Sequence, residues 1–405
     1  MSALDAKLQE ITKAKSGVTR LTLTNYRNYR NLRIETSIAP IVITGANGSG
    51  KTNILEAISF LTPGRGLRGA RLTDIKRIQQ AMESDYLADE GWSVAADILK
   101  NDEPYQIGTT LQKTNREEAV INNDENLRAY ERRIVKIDGQ KINQQAELGK
   151  YISAIWITPS MDRLFSGGPQ PRRSFLDRLV YAFDLEHAKR TANFEHLYRQ
   201  WLQMLKNGIN DVHWLQSLEA EMAALGVAIA AARRELIARL NTFIAHEPDN
   251  VFPNVRLELD GLIEKKLDSE AALNVEDFYA TYLARQRAFV RQNESVDGVN
   301  RTDFKVFFQK KNMPAELCST GEQKALLISI ILAQTKCQIL DKGFAPVLLL
   351  DEVTTHLDDA KRDALLEKIR ALHLQAWLTS TEPQNFTRLQ HDAQFLHVAN
   401  GQISL

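Results

Sequence analysis

Two cysteines in 405 residues, Cys318 and Cys337, cannot build a disulfide framework, and their spacing fits no metal-ligand pattern. A reduced compartment suits such a chain. Net charge is missing too: 51 basic residues balance 51 acidic ones, so any surface that attracts a polyanion must be local. No apolar run approaches the roughly 18–20 residues of a membrane span, and residues 1–20 are polar and mixed in charge rather than signal-like. These absences predict a cytoplasmic protein with no membrane partner. What is present, 43% hydrophobic and 25% charged residues, is the composition of a globular chain long enough for one large domain or two.

The stretch Gly45-Ala46-Asn47-Gly48-Ser49-Gly50-Lys51-Thr52, followed by Asn53, fits G-x-x-x-x-G-K-[ST] at every fixed position. An apolar run (Ile41, Val42, Ile43) precedes it and a helical pattern (Asn53 to Leu61) follows. A glycine-rich turn that carries Lys-Thr by chance would lack that context. Glycines let backbone N–H groups point inward at phosphate oxygens, and the helix adds the positive end of its dipole. Lys51 is expected to reach the β- and γ-phosphates of ATP, and Thr52 to complete the shell of a Mg²⁺ ion.

Around this loop the pattern alternates between sheet and helix. Val18 to Leu23 and Leu32 to Glu35 read as an edge hairpin, and the intervening Asn25 to Arg30 would either stack on a base or brace the sheet. Pro63 to Arg71 is a basic loop in which Arg65, Arg68 and Arg71 suit phosphate oxygens of ATP or of DNA, although a solvated loop would also carry such charge. Trp92 to Leu99, Tyr105 to Leu111 and Ile134 to Ile137 predict an antiparallel meander with a turn at Asp138-Gly139, and Tyr151 to Ile157 a further strand. Arg172 and Arg173 open a helix against its macrodipole, so a nearby anion would explain them.

From about Phe183 to Ala288 long helices dominate. Leu215, Leu218, Met222, Leu225, Ile229, Ala232 and Leu236 form a heptad seam on a helix about 45 Å long, packed either on a neighbour such as Phe194 to Leu205 or on another molecule. Downstream, Val347 to Leu350 reads as a doubly buried strand whose carboxyl end carries Asp351 and Glu352. Asp351 would hold the Mg²⁺ and Glu352 would act as general base, although an acid pair after a strand also caps helices. Ser319 and Gly321 begin an apolar helix whose N-terminus is a second anion site.

Taken together, Gly45 to Asn53, Cys318 to Gln323, Leu348 to Glu352, and Thr354 to Asp358 resemble the Walker A, signature, Walker B and D-loop motifs of an ATP-binding-cassette ATPase of the SMC branch. Leu23 to Tyr29, Pro63 to Arg68, Pro169 to Asp177 and Gly298 to Phe304 are similar to the RecF family of bacterial recombination mediators, and the likeness runs from about residue 21 to about 380. The resemblance implies an α/β fold: a P-loop ATPase head with a mixed sheet core and an antiparallel β-meander, formed by residues 1–180 with 296–405, and an inserted long-helix arm or lid, 181–295. It implies a homodimer closed on two ATP molecules, with Ser319, Thr320, Gly321, Glu322 and Gln323 acting in trans and Leu357 and Asp358 in the D-loop. It further implies a weak, DNA-stimulated ATPase used as a switch, with Lys51 and Glu352 catalytic and Thr52 and Asp351 at the metal. Such a protein binds single- and double-stranded DNA at gap junctions and works with RecO and RecR to load RecA. Arg68 stands where an arginine of the SMC branch meets nucleotide or DNA.

Three positions depart from the pattern. Cys318 and Thr320 replace a more usual Leu and Gly, no glutamine follows Ile155 to Thr158 as a Q-loop would require, and the switch-histidine position near Leu378 to Thr381 holds Thr or Ser. The alternatives to a repair ATPase are the energy-coupling subunit of a membrane transporter and a structural, SMC-like scaffold built through the heptad seam.

Overall fold

The computed structural model describes residues 3–77, 91–113, 131–246, 251–291, 295–399 and 401–404. Two compact units result, one of Met1–Met161 with Gln338–Leu405 and one of Asp162–Cys337.

In the first unit, helix α1 (Ala3–Thr12) leads into the expected edge hairpin, in which β1 (Gly17–Tyr26) pairs antiparallel with β2 (Tyr29–Glu35). The sheet continues from β1 through β4 (Ser93–Lys100), β5 (Glu103–Lys113), β6 (Glu131–Ile137) and β7 (Gln140–Ile142), antiparallel throughout. Asp138 and Gly139 both take positive φ (49° and 79°), the two-residue turn whose twist suits a hairpin.

A second six-stranded sheet carries the apolar runs. Its order is β15 (Gln402–Ser404), β14 (Gln394–Ala399), β3 (Ile41–Thr44), β13 (Ala376–Ser380), β12 (Val347–Leu350) and β8 (Ala154–Ile157), parallel except for β15. Every residue of β3, β12 and β13 is buried, as a parallel sheet covered on both faces requires. Of Tyr151 to Ile157 only the last four residues are strand, because the Tyr151 and Ile152 N–H groups turn back to the Leu148 carbonyl (2.9 and 3.0 Å) at the end of the 3-10 turn Gln145–Lys150. Helix α2 (Lys51–Ser59) packs against β1, β12 and β13 and buries Ile54, Leu55, Ala57 and Ile58.

The second unit contains α3 (Pro169–Tyr181), α4 (His187–Lys206), α5 (Val212–Ala245), α6 (Leu262–Lys266), α7 (Ala272–Arg291) and an antiparallel sheet of β9 (Val255–Asp260), β10 (Asp303–Phe308) and β11 (Met313–Pro314). At 34 residues α5 is about 50 Å long. Its seam packs inside the chain: Leu215, Leu218, Met222 and Ile229 share one core with Trp201 and Leu205 of α4 and Tyr279 and Leu283 of α7, and Leu225 lies at the margin of that core. By length and composition α5 is apolar enough to cross a membrane, yet half of its most apolar stretch is buried, and Glu219 and Arg233 on it are sequestered with partners.

The division between units differs from the expected one at 180 and 295. Residues 162–180 and 296–337 belong with the helical unit because α3 packs on β10, α4 and α5, and because Asp177 of α3 is forked to Arg233 of α5 at 2.8 and 2.9 Å. The second boundary falls within helix α8 (Thr320–Lys342).

Candidate nucleotide-binding site

Three adjacent parallel strands of the first unit, β3, β13 and β12, end side by side, so the residues after each are brought to one edge of the sheet. After β3 comes the loop Gly45 to Gly50, leading into α2. Gly50, at φ 115°, is the N-cap of α2, and no side chain caps the helix, which leaves its first N–H groups free to meet an anion. Gly45, at φ 145°, is needed for space as well, since a Cβ there would lie 2.3 Å from the Val398 carbonyl. Lys51 Nζ donates to the carbonyls of Gly45 (2.7 Å) and Ala46 (3.0 Å), which holds the ammonium over the loop. Burial pushes its pKa below the ordinary lysine value, against the smaller opposing pull of Glu352 and Asp351.

Thr52 Oγ1 donates to both carboxylate oxygens of Asp351, at 2.9 and 3.0 Å, across 299 residues of sequence. Thr379, at the end of β13, donates to Asp351 Oδ1 at 2.7 Å and accepts from the Glu352 backbone N–H at 2.9 Å. One hydroxyl therefore fixes both acids. Glu352 sits at φ 48°, a left-handed conformation that a non-glycine residue adopts only when its surroundings impose it. The donor set fits Mg²⁺: a carboxylate and a hydroxyl, both hard oxygens, suit an ion that keeps several waters and is completed by phosphates. Among the described residues there is no group of three or more His, Cys, Asp or Glu side chains that could form an all-protein cage. Ser49 Oγ is buried without a hydrogen-bond partner in the loop, a further polar atom available to a ligand.

In the second unit, Ser319 and Glu322 make a capping box. Glu322 Oε2 accepts from the Ser319 N–H (2.9 Å) and hydroxyl (3.0 Å), while Ser319 Oγ accepts from the Glu322 N–H (3.4 Å). The Lys311 ammonium, followed by the Ser319 amide, lowers the Glu322 pKa to about 2. Gln323 Nε2 donates to the Cys318 carbonyl at 3.0 Å. Thr320 and Gly321 fall in the first turn of α8. In the first unit, Leu357 N–H donates to Thr354 O, and Asp358 caps α9 (Asp359–Ala371) by accepting from the Lys361 N–H at 2.8 Å.

The family described as RecF/RecN/SMC N terminal domain matches residues 17–404. The DNA replication and repair protein RecF of Allorhizobium ampelinum is 39% identical over 394 residues, covering 96% of this chain and 99% of its own. RecF of Brucella suis is 40% identical over 392 residues, with 96% of each chain covered. The chain belongs to the RecF family. Two solved structures, described as the recombination mediator protein RecF-ATPrS and RecF-ATP in the RecFOR pathway, superpose with TM-scores of 0.77 and 0.75 over 96% of this chain and 98% and 99% of theirs. At 18% identity that likeness shows the fold, and the family model groups it with the SMC-type heads.

For this RecF-family chain the basic residues divide. Arg65 and Arg71 are exposed, and Arg68 Nη1 donates to Asn53 Oδ1 at 2.8 Å and reaches Glu56 at 3.4 Å. Arg172 is buried: it forks onto Asp303 (2.8 and 2.9 Å) and donates to the carbonyls of Phe165 and Gly167. The anion that its place at a helix start called for is thus Asp303, within the chain, and its guanidinium is unavailable to DNA. Arg173 donates to Thr302 O at 3.2 Å.

Sequence reasoning noted a Thr or Ser near Leu378 to Thr381 but missed the role of Thr379, whose signal was the Thr-Ser pair closing an otherwise apolar strand. It missed Glu56 too, a fully buried acid on the phosphate-loop helix that receives both Arg27 (2.8 and 2.7 Å) and Arg68.

Proposed function

We propose that this RecF-family chain is an ATP-gated DNA-binding protein of recombination and repair. Two copies close on two ATP molecules, each phosphate loop facing the partner's Ser319 to Gln323, and the closed dimer holds DNA at single-strand gaps and junctions. With RecO and RecR it helps load RecA in the cytoplasm. The observation that carries the reading is the Thr52–Asp351 contact, which joins the phosphate loop to the acid-tipped strand in one site suited to a Mg²⁺ nucleotide. The metal, when bound, supplies charge neutralisation at the phosphates. Lys51 binds phosphate, Asp351 and Thr52 hold the metal, and Glu352 accepts a proton from the attacking water. Hydrolysis is slow and DNA-stimulated, and serves to open the dimer. The intramolecular packing of the Leu215 to Leu236 seam counts against the scaffold reading, which needs that face for a second molecule.

Contacts to DNA fall on phosphates, with Arg65, Arg68 and Arg71 as the residues to map. Sedimentation of the full chain with and without ATP–Mg²⁺, repeated with a short gapped duplex, tests the reading. A dimer that forms only with ATP and then moves onto DNA, with a log–log salt slope of about −0.9 per phosphate neutralised, is the expected result. A species unchanged by ATP and indifferent to DNA would overturn it.

A further inference from the structure

We infer that Asn28, in the turn between β1 and β2, and Tyr29, the first residue of β2, are positioning residues for the phosphate loop. They hold the two peptide planes that present the Gly50 and Lys51 N–H groups to phosphate. The inference rests on the ATP-binding reading above.

Asn28 Nδ2 donates to the Ser49 carbonyl at 2.9 Å, and the Tyr29 hydroxyl donates to the Gly50 carbonyl at 3.1 Å. These two carbonyls share peptide units with the N–H groups of Gly50 and Lys51. In a trans peptide the C=O and N–H point in opposite directions, and no described peptide is cis. Gripping each carbonyl from one side therefore turns each N–H to the other. The Gly50 carbonyl also accepts from the Asn53 (2.9 Å) and Ile54 (3.3 Å) N–H groups of α2, so Tyr29 adds to a plane the helix already holds, whereas without Asn28 the Ser49–Gly50 plane is left to the freedom of glycine and can offer a carbonyl, rather than a donor, to a polyanion.

The grip is itself fixed. A Cβ on Gly50 would lie 2.4 Å from Asn28 Nδ2 and 2.6 Å from the Tyr29 hydroxyl, so the turn sits against the loop with no space between. The Asn28 amide is oriented by Asn53 Nδ2, which donates to Asn28 Oδ1 at 2.7 Å, and Asn53 is oriented in turn by Arg68 at 2.8 Å. Left-handed, non-glycine residues stand at Asn25 (φ 49°), near the end of β1, and at Arg27 (φ 54°), in the turn itself. Arg27 is kept there by its N–H on the Ile75 carbonyl (2.8 Å) and its forked pair with Glu56 of α2. A strained turn anchored at both ends to the phosphate loop and its helix is built for position, not merely to reverse the chain.

Tyr29→Phe keeps the buried ring and removes only the hydroxyl, and Asn28→Ala removes the other donor. Affinities for ATP, ADP and inorganic tripolyphosphate are measured on the full chain, alongside the melting temperature without nucleotide. Each variant is expected to lose about three- to tenfold, the worth of one hydrogen bond. The loss should be equal for ATP and tripolyphosphate, with the Tyr29→Phe melting temperature lowered by no more than the few degrees that one buried hydrogen bond is worth. Wild-type affinities in both variants would overturn the inference while leaving the ATP site standing. A loss for ATP but not tripolyphosphate would overturn it too, by placing the contact at the base. A wild-type chain that binds no ATP would sink the ATP-binding reading, and the inference with it. If Asn28→Ala does not fold, Tyr29→Phe decides alone.

Discussion

Lys51→Ala should weaken ATP binding by about 10- to 150-fold. A lysine has three N–H donors, and in this chain two are committed to the Gly45 and Ala46 carbonyls, so one remains to meet a phosphate. A hydrogen bond to a charged group is worth about 1.5–3 kcal/mol, which converts to that range of Kd. Titration calorimetry of ATP–Mg²⁺ into wild type and variant reads the difference directly, and a melting curve without nucleotide checks that the loop has not collapsed. The pH dependence gives a second test. Because burial lowers the Lys51 pKa, the protonated form that attracts phosphate is lost at lower pH than for an ordinary lysine. Wild-type affinity is therefore full near neutrality and declines as pH rises through that lowered pKa, and the variant lacks this limb. A variant whose Kd stays within twofold of wild type, with the alkaline limb intact, would refute the assignment.

Thr52→Ala removes the hydroxyl that meets Asp351 and should raise the Mg²⁺ concentration needed for half-maximal ATPase while sparing metal-free ATP binding, as magnesium titrations would reveal. Glu352→Gln should bind ATP and accumulate as a dimer by light scattering, and a variant that remains monomeric with ATP would contradict the closed-dimer mechanism. Asp177→Asn breaks the fork onto buried Arg233 and leaves it with only the Glu264 carboxylate at 3.6 Å, which should cost up to about 3–5 kcal/mol in urea melts at pH 7. Burial alone would raise the Asp177 pKa, but His187 and Arg233 outweigh it and hold it below the ordinary value. Its stabilisation is thus present above about pH 4 and is lost as pH falls, so the variant and wild type should converge in acid. Parallel stability curves down to pH 2 would rule that out.

The parts of the fold legible in the sequence are those where local pattern and burial agree. Ile41 to Ile43 and Val347 to Leu350 read as buried strands because a doubly covered parallel strand leaves no polar position. The phosphate loop was legible because its glycines are demanded by backbone geometry. What was not legible depends on partners far along the chain. Arg172 looked like an anion site until Asp303 was found beside it, 131 positions away. Asn28 and Tyr29 act on backbone carbonyls, which no side-chain pattern can signal. The domain boundary near residue 180 followed a change of composition, whereas the packing of α3 on β10 and α5 places it earlier.

The sheet order also sets a timetable for synthesis. Strand β3, which carries the phosphate loop, is flanked by β13 and β14, so Ile41 must wait for Trp377 and Gln394 before either of its edges is paired. At about 5–20 residues per second that interval is on the order of tens of seconds, during which an apolar strand has emerged without its neighbours. Both β13 and β14 must be made before the nucleotide loop has a floor, and a nascent chain stalled before β13 would carry the Walker sequence but no site. ATP binding would then report that β13 and β14 have been made, because the early phosphate loop depends on strands that leave the ribosome much later.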